Sequence, residues 1–249
     1  MRTSIRIAAA TVTAASLGLL LTACGGDTND GKLKGDNDAS ASADAAPDVK
    51  ALSAAELEKL IVEQADLKGH QVQKAKPAEV LNTGDVGADK AACEPLAEAV
   101  SSVAPGDPGA SVHRKTIEAR KDTSASPEDI MGALAAPVTS VTLGSYGGQG
   151  AQQAFASLKT AGTECAAGFT VNASGEKTKV TKVAPEAVAA GEEAQAWTVT
   201  VDMEGKPFVT KLVVFRKGNT LASLSTISLG GQVKALPKAV IDAQAAKLG

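Results

Sequence analysis

Residues 197–227 read WTVTVDMEGKPFVTKLVVFRKGNTLASLSTI, and the fold turns on how they are read. Trp197, Val199, Val201 and Met203 alternate with Thr198, Thr200 and Asp202, the period-two pattern of a strand with one apolar face. EGK makes a turn, PFVTKLVVFR a second strand, KGN a second turn and TLASLSTISL a third strand. Connections this short join only antiparallel neighbours, so the stretch is a three-strand meander. A last helix begins near Pro237, taken as its first helical position. Its expected inner face is Val240, Ala243, Ala246 or Lys247, and Leu248.

The pattern upstream mixes helices and strands. Ser53 and Glu56 form a capping box that opens a helix. Leu57, Leu60, Ile61 and Gln64 mark its apolar face, and Gly69 is its stop. His70 to Lys76 reads as a strand, residues 77–92 as turns, and the neighbourhood of Cys93, Leu96 and Val100 as a short helix. Residues 111–119 and 137–146 are Val- and Thr-rich strands. After GGQG (147–150), Ala151, Ala154, Phe155, Leu158 and Ala161 recur at helical spacing, and that spacing continues to Cys165. Helices at both ends and in the middle, with strands between, predict an α+β fold: a mostly antiparallel twisted sheet packed with helices, closed by the meander and a helix.

The first fifty residues set the address. Arg2 and Arg6 precede an uncharged run, Ile7 to Ala23, at the lower edge of the length that spans about 30 Å of hydrocarbon. A basic start, a short apolar run and small residues make a secretory signal. Leu21-Thr22-Ala23-Cys24 resembles the lipobox of bacterial lipoproteins, which implies cleavage after Ala23 and a diacylglycerol on Cys24. Residues 1–23 are then a removed signal peptide, 24–50 a lipidated cysteine with a tether, and 51–249 one extracellular domain. Residues 25–48 lack aromatics and hold a single large aliphatic, Leu33; too little apolar surface exists there to offset ordering entropy. As a coil they reach about 25–30 Å.

Charge narrows the partners. Of the formal −3, residues 1–24 carry +2 and residues 25–50 set three Lys against six Asp, leaving about −2 on the body. That excludes nucleic acid as an expected partner and leaves the membrane reached only through the N-terminal lipid. The body has six aromatics, Tyr146, Phe155, Phe169, Trp197, Phe208 and Phe215, so Ala, Val and Leu fill its interior. After Cys24 only Cys93 and Cys165 remain. In an exported chain such a pair is a disulfide, closing a loop of roughly 70 residues and stabilising the fold by about 4 kcal/mol. His70 and His113 lie too far apart in sequence to complete a metal site with them.

The spacing of nucleophiles, bases and carboxylates matches no catalytic constellation. The nearest approach to a nucleophile elbow, Leu143-Gly144-Ser145-Tyr146-Gly147, is out of frame. Ser111, His113 and Glu118 are close in sequence, but 111 and 113 merely share a strand face and read as a polar solvent face. Gly147–Gly150 ahead of a helix could cradle an anion; without the Lys and Ser/Thr of a phosphate loop it reads as a flexible lead-in. Trp197, in register with Val199 and Val201, reads as core. Glu192 and Glu193 read as a solvated loop. No catalytic residue, metal ligand or cofactor is therefore expected.

LSAAELEKLIVEQADLKGHQV (52–72), VTLGSYGGQGAQQAFASLKTAGTEC (141–165), the meander, and LPKAVIDAQAAKL (236–248) together resemble the PknH-like extracellular sensor domain. That family occurs on mycobacterial receptor kinases and on free-standing lipoproteins. The resemblance spans residues 51–249 and implies a sheet with packed helices and a central cleft for an envelope ligand. The chain departs from the kinase case in having no kinase domain and no second membrane segment. The kinase sensor also resembles a domain with two disulfides, where this chain has cysteines for one. The expectation is a lipid-anchored binding or sensor-like module on the outer face of the cell membrane, its envelope ligand or protein partner unidentified. A carrier of lipid or other apolar ligand is the alternative, which a large apolar cavity would favour and a tightly packed core would oppose. A hydrolase of cell-wall material ranks last.

Overall fold

Leu212-Val213-Val214-Phe215 is apolar without alternation, and all four side chains are fully buried. A strand of that kind must be covered on both faces, and it sits at the centre of the architecture. A computed structural model of the chain describes residues 49–119, 135–230 and 232–249. Cys24, the signal peptide and most of the tether lie outside the described residues.

In chain order the strands are β1 His70–Lys74, β2 Val86–Ala88, β3 Ala110–Glu118, β4 Val138–Ser145, β5 Phe169–Ala173, β6 Glu176–Glu186, β7 Glu193–Met203, β8 Lys206–Lys217 and β9 Thr220–Ile227. The helices are α1 Ala54–Leu60, α2 Glu94–Val100, α3 Gly150–Glu164 and α4 Lys238–Leu248. The fold is α+β. Its strands form one sheet in the order β1-β3-β4-β9-β8-β7-β6-β5-β2, with every pairing antiparallel.

The meander is the middle of this sheet. Trp197 stands opposite Leu212, and Leu212 opposite Ser225. Side chains alternate between two cores. Trp197, Val199, Leu212 and Val214 meet α2 and α3 on one face. Val213, Phe215, Ala222 and Leu224 meet α1 and α4 on the other. Met203 belongs by pattern to the first face but lies half exposed at the end of the β7–β8 hairpin. Gly162 of α3 packs against the Trp197 indole so closely that a Cβ there would stand 2.5 Å from Nε1.

The first helix is shorter than its periodicity predicts. Its capping box is present, with the Ser53 N–H donating to Glu56 Oε2 at 2.8 Å, but the helix ends at Leu60 and Ile61 is extended. A buried residue of the last helix explains the break. Gln244 accepts from the Val62 N–H at 3.0 Å and donates to the Leu60 carbonyl at 2.9 Å, supplying partners that another helical turn would otherwise provide. This also shifts the inner face of α4 to Val240, Ile241 and Gln244; Ala246 is exposed, and Pro237 is the N-cap rather than the first helical residue. Strands β2, β5 and β6 have no counterpart in the sequence expectation, where 77–92 were turns throughout.

Candidate functional site

The link between Cys93 and Cys165 is formed, with Cα atoms 5.9 Å apart and a sequence separation of 72. Cys93 immediately precedes α2 and Cys165 caps the end of α3. The two helices therefore leave the crosslink side by side in opposite chain directions, and a surface cleft of about 460 Å³ opens between them.

The loop that closes this cleft is built from the end of α2. Ser102 adopts φ +62°, its N–H donates to the Ala99 carbonyl at 3.2 Å, and the Val103 N–H donates to the Glu98 carbonyl at 2.8 Å. These bonds make a Schellman ending with serine where glycine is usual. Thr142 Oγ1 donates to the Ser102 carbonyl at 2.9 Å and Ser225 Oγ to the Val100 carbonyl at 3.1 Å, anchoring the turn to the sheet. The loop then passes through Pro105 and Gly106. Tyr146 Oη donates to the Pro105 carbonyl at 2.6 Å, and the Gly106 N–H donates to Glu98 Oε2 at 3.0 Å. Gly106 takes φ +77° with its Cα turned toward Ala154 of α3, a backbone state glycine reaches without penalty.

Glu98 is the unusual member. It is only 4% exposed yet lines the cleft, and among the described residues no cation pairs with it. Burial pushes its carboxyl above the ordinary carboxylate range; the Gly106 N–H works against that rise, and the neighbouring Glu94 adds to it. Tyr146 lines the same cleft at 1% exposure. Burial, reinforced by the charge of Glu98, raises its phenol well above the usual value, so it remains a donor to Pro105. Glu94 and Asp107 also line the cleft, and among the described residues no Lys, Arg or His does. Its walls also include the apolar Ala91, Pro95, Pro105 and Ala154 and the uncharged polar Thr83, Gln153 and Ser157. Charged groups buried without partners are costly and concentrate at binding and reaction sites.

The other residues singled out by sequence lie elsewhere or serve the fold. Ser145 is buried and accepts from the Leu52 N–H at 2.9 Å. Ser111 Oγ lies 3.4 Å from His113 Nε2, and His113 Nδ1 lies 3.1 Å from Thr142 Oγ1, whereas Glu118 is opposite His70 in the β1–β3 pairing. Among the described residues no carboxylate orients the imidazole, and burial pushes the His113 pKa down. In the GGQG turn two amides are committed to backbone carbonyls, Gly148 to Val49 at 2.7 Å and Gly150 to Gly147 at 2.9 Å. Gly150 is there for packing: a Cβ would sit 3.0 Å from the Tyr146 Cβ. Glu192 and Glu193, though well exposed, both hold Arg216, at 2.7 and 3.3 Å.

A second hollow of about 460 Å³ lies near the segment leading into α4, floored by Thr139 and Thr226 with His70 and Glu118 at its rim. The two apolar cores fill both faces of the sheet, and both hollows open at the surface. Among the described residues no three His, Cys, Asp or Glu side chains are grouped to hold a metal ion. No helix among them is long and apolar enough to cross a membrane.

A known structure resembles this one. It is the extracellular domain of PknH from Mycobacterium tuberculosis, at 10% identity and a TM-score of 0.47, covering 80% of this chain and 97% of that chain. No family model matches the sequence, and no curated protein does.

Proposed function

We propose that the chain is a non-catalytic, sensor-like binding module held on the outer face of the cell membrane by a lipid on Cys24, with the α2–α3 cleft as its ligand site. The observation that carries the binding reading is Glu98. It is a carboxylate 4% exposed that lines a cleft in which, among the described residues, no cation stands opposite it. Selection for stability alone removes such a group, because an uncharged residue fits the same place at lower cost. The anchoring reading is supported by Leu21–Cys24 closing a short apolar run; the two acyl chains of a diacylglycerol on Cys24 would attach it more firmly than one chain does.

Two experiments test the halves separately. Replacing Cys24→Ser is expected to move the protein out of the membrane fraction; persistence there overturns the lipid anchor. A photo-crosslinking side chain placed at Gln153, exposed on the cleft rim, is expected to capture envelope material that the same group at Lys177, exposed on β6, does not. Equal labelling at the two positions overturns the cleft as the ligand site.

A further inference from the structure

We infer that the α2–α3 cleft is a site for a ligand bearing a primary ammonium group, with Glu98 as its counter-ion. The inference rests on the binding reading above and adds the chemical class of the ligand. Three observations carry it. Among the described residues the cleft is lined by three carboxylates, Glu94, Glu98 and Asp107, and by no cationic side chain, so their field selects positive charge. Glu98 is more than nine-tenths buried, and among the described residues the hydrogen bond it accepts is the one from Gly106 to Oε2, which leaves Oε1 for a donor inside the cleft. Among the lining residues Ala91, Pro95, Pro105 and Ala154 offer carbon surface for the methylenes next to an amine, beside the polar Thr83, Gln153 and Ser157.

A metal ion fits the arrangement less well. The carboxylates are not grouped as a ligand set, and hard cations ask for six or more oxygens. An ammonium asks for three acceptors at most. Glu98 Oε1 is one, and Glu94, one helical turn before it, is placed to be another. A ligand ammonium would replace water around a carboxylate that the fold has already largely desolvated, so the cost of stripping the acid is met during folding and little is added on binding.

The probe is butylammonium chloride, added to the full chain in detergent micelles at pH 7.5 with ionic strength held constant. The matched arms are 1-butanol, sodium butyrate and calcium chloride. The expected result is a rise in melting temperature of about 3 °C at ten times the dissociation constant, for butylammonium alone. The shift is expected to disappear in Glu98→Gln, to shrink in Glu98→Asp, and to persist in Glu164→Gln, which alters an exposed acid outside the cleft. An equal shift from butanol makes the cleft a plain apolar site and overturns the inference, as does a shift from butyrate or one matched by calcium. A butylammonium shift that survives Glu98→Gln assigns the amine to another place and also overturns it. In each of these cases the Gln153 crosslinking result stands by itself, so the cleft can fail as an amine site and still be a binding site.

Discussion

Glu98 sets a stability against an acidity. Its folded carboxyl lies above the ordinary 4.5 because burial disfavours the charge, so the folded chain holds this proton more tightly than the unfolded chain does. The contribution is fully present below the unfolded value and is lost as pH rises through the folded value. At neutral pH the ionised group is therefore a net cost. Glu98→Gln, which keeps an acceptor for the Gly106 N–H, is expected to raise the urea midpoint at pH 7.5, with the gain fading toward pH 4. A midpoint that falls equally at both pH values contradicts this account. One signal in the sequence pointed to the residue: Glu98 is the only charge in PLAEAVSSVAP, residues 95–105. A lone acid in such a run is expected at the surface, and only the loop folding back through Gly106 buries it. Tyr146 was legible as a strand-end aromatic, but its bond to Pro105, 41 residues earlier, was not.

Between elements, the end of α1 shows how a tertiary contact overrides a local pattern. Leu57, Leu60, Ile61 and Gln64 continue a helical period, yet Ile61 is extended and both Ile61 and Val62 are fully buried. Gln244, itself fully buried, bonds both backbone groups that the break exposes, from a position some 180 residues later. Gln244→Met keeps the volume and removes both partners. It is expected to destabilise the fold by about 2–4 kcal/mol, from two buried backbone groups left unsatisfied, read as a lower urea midpoint with an unchanged slope. A loss no larger than that of a surface substitution would sink this explanation. A similar limit hid β6, whose outward positions are rich in Lys and Glu and whose pairing with β7 supplies its burial, and β5, which is held between β6 and β2. Strand β2 is three residues long, too short to carry any period.

Across the whole molecule, β1 and β2 are consecutive in sequence and lie at opposite edges of the sheet, so contacts of large sequence separation hold the architecture together. The Cys93–Cys165 link is the covalent member of that set. Replacing both cysteines by serine is expected to cost about 4 kcal/mol, less any relaxation of the unfolded chain, and to increase hydrogen exchange in α2 before the meander opens. Uniform exchange across α2 and β8 would instead show that the crosslink holds no local structure of its own. What the sequence by itself determined is whatever is local or periodic: the meander and its turns, the capping box, α3 from its three–four spacing, the α+β class, and the pairing of the only two body cysteines. What only the tertiary structure decided is where distant segments meet. The strand order, the early end of α1, and a buried acid between two helices all depend on contacts whose partners lie tens to hundreds of residues apart. No residue there carries the identity of its partner, because burial and pairing are properties of the assembled packing and not of the segment.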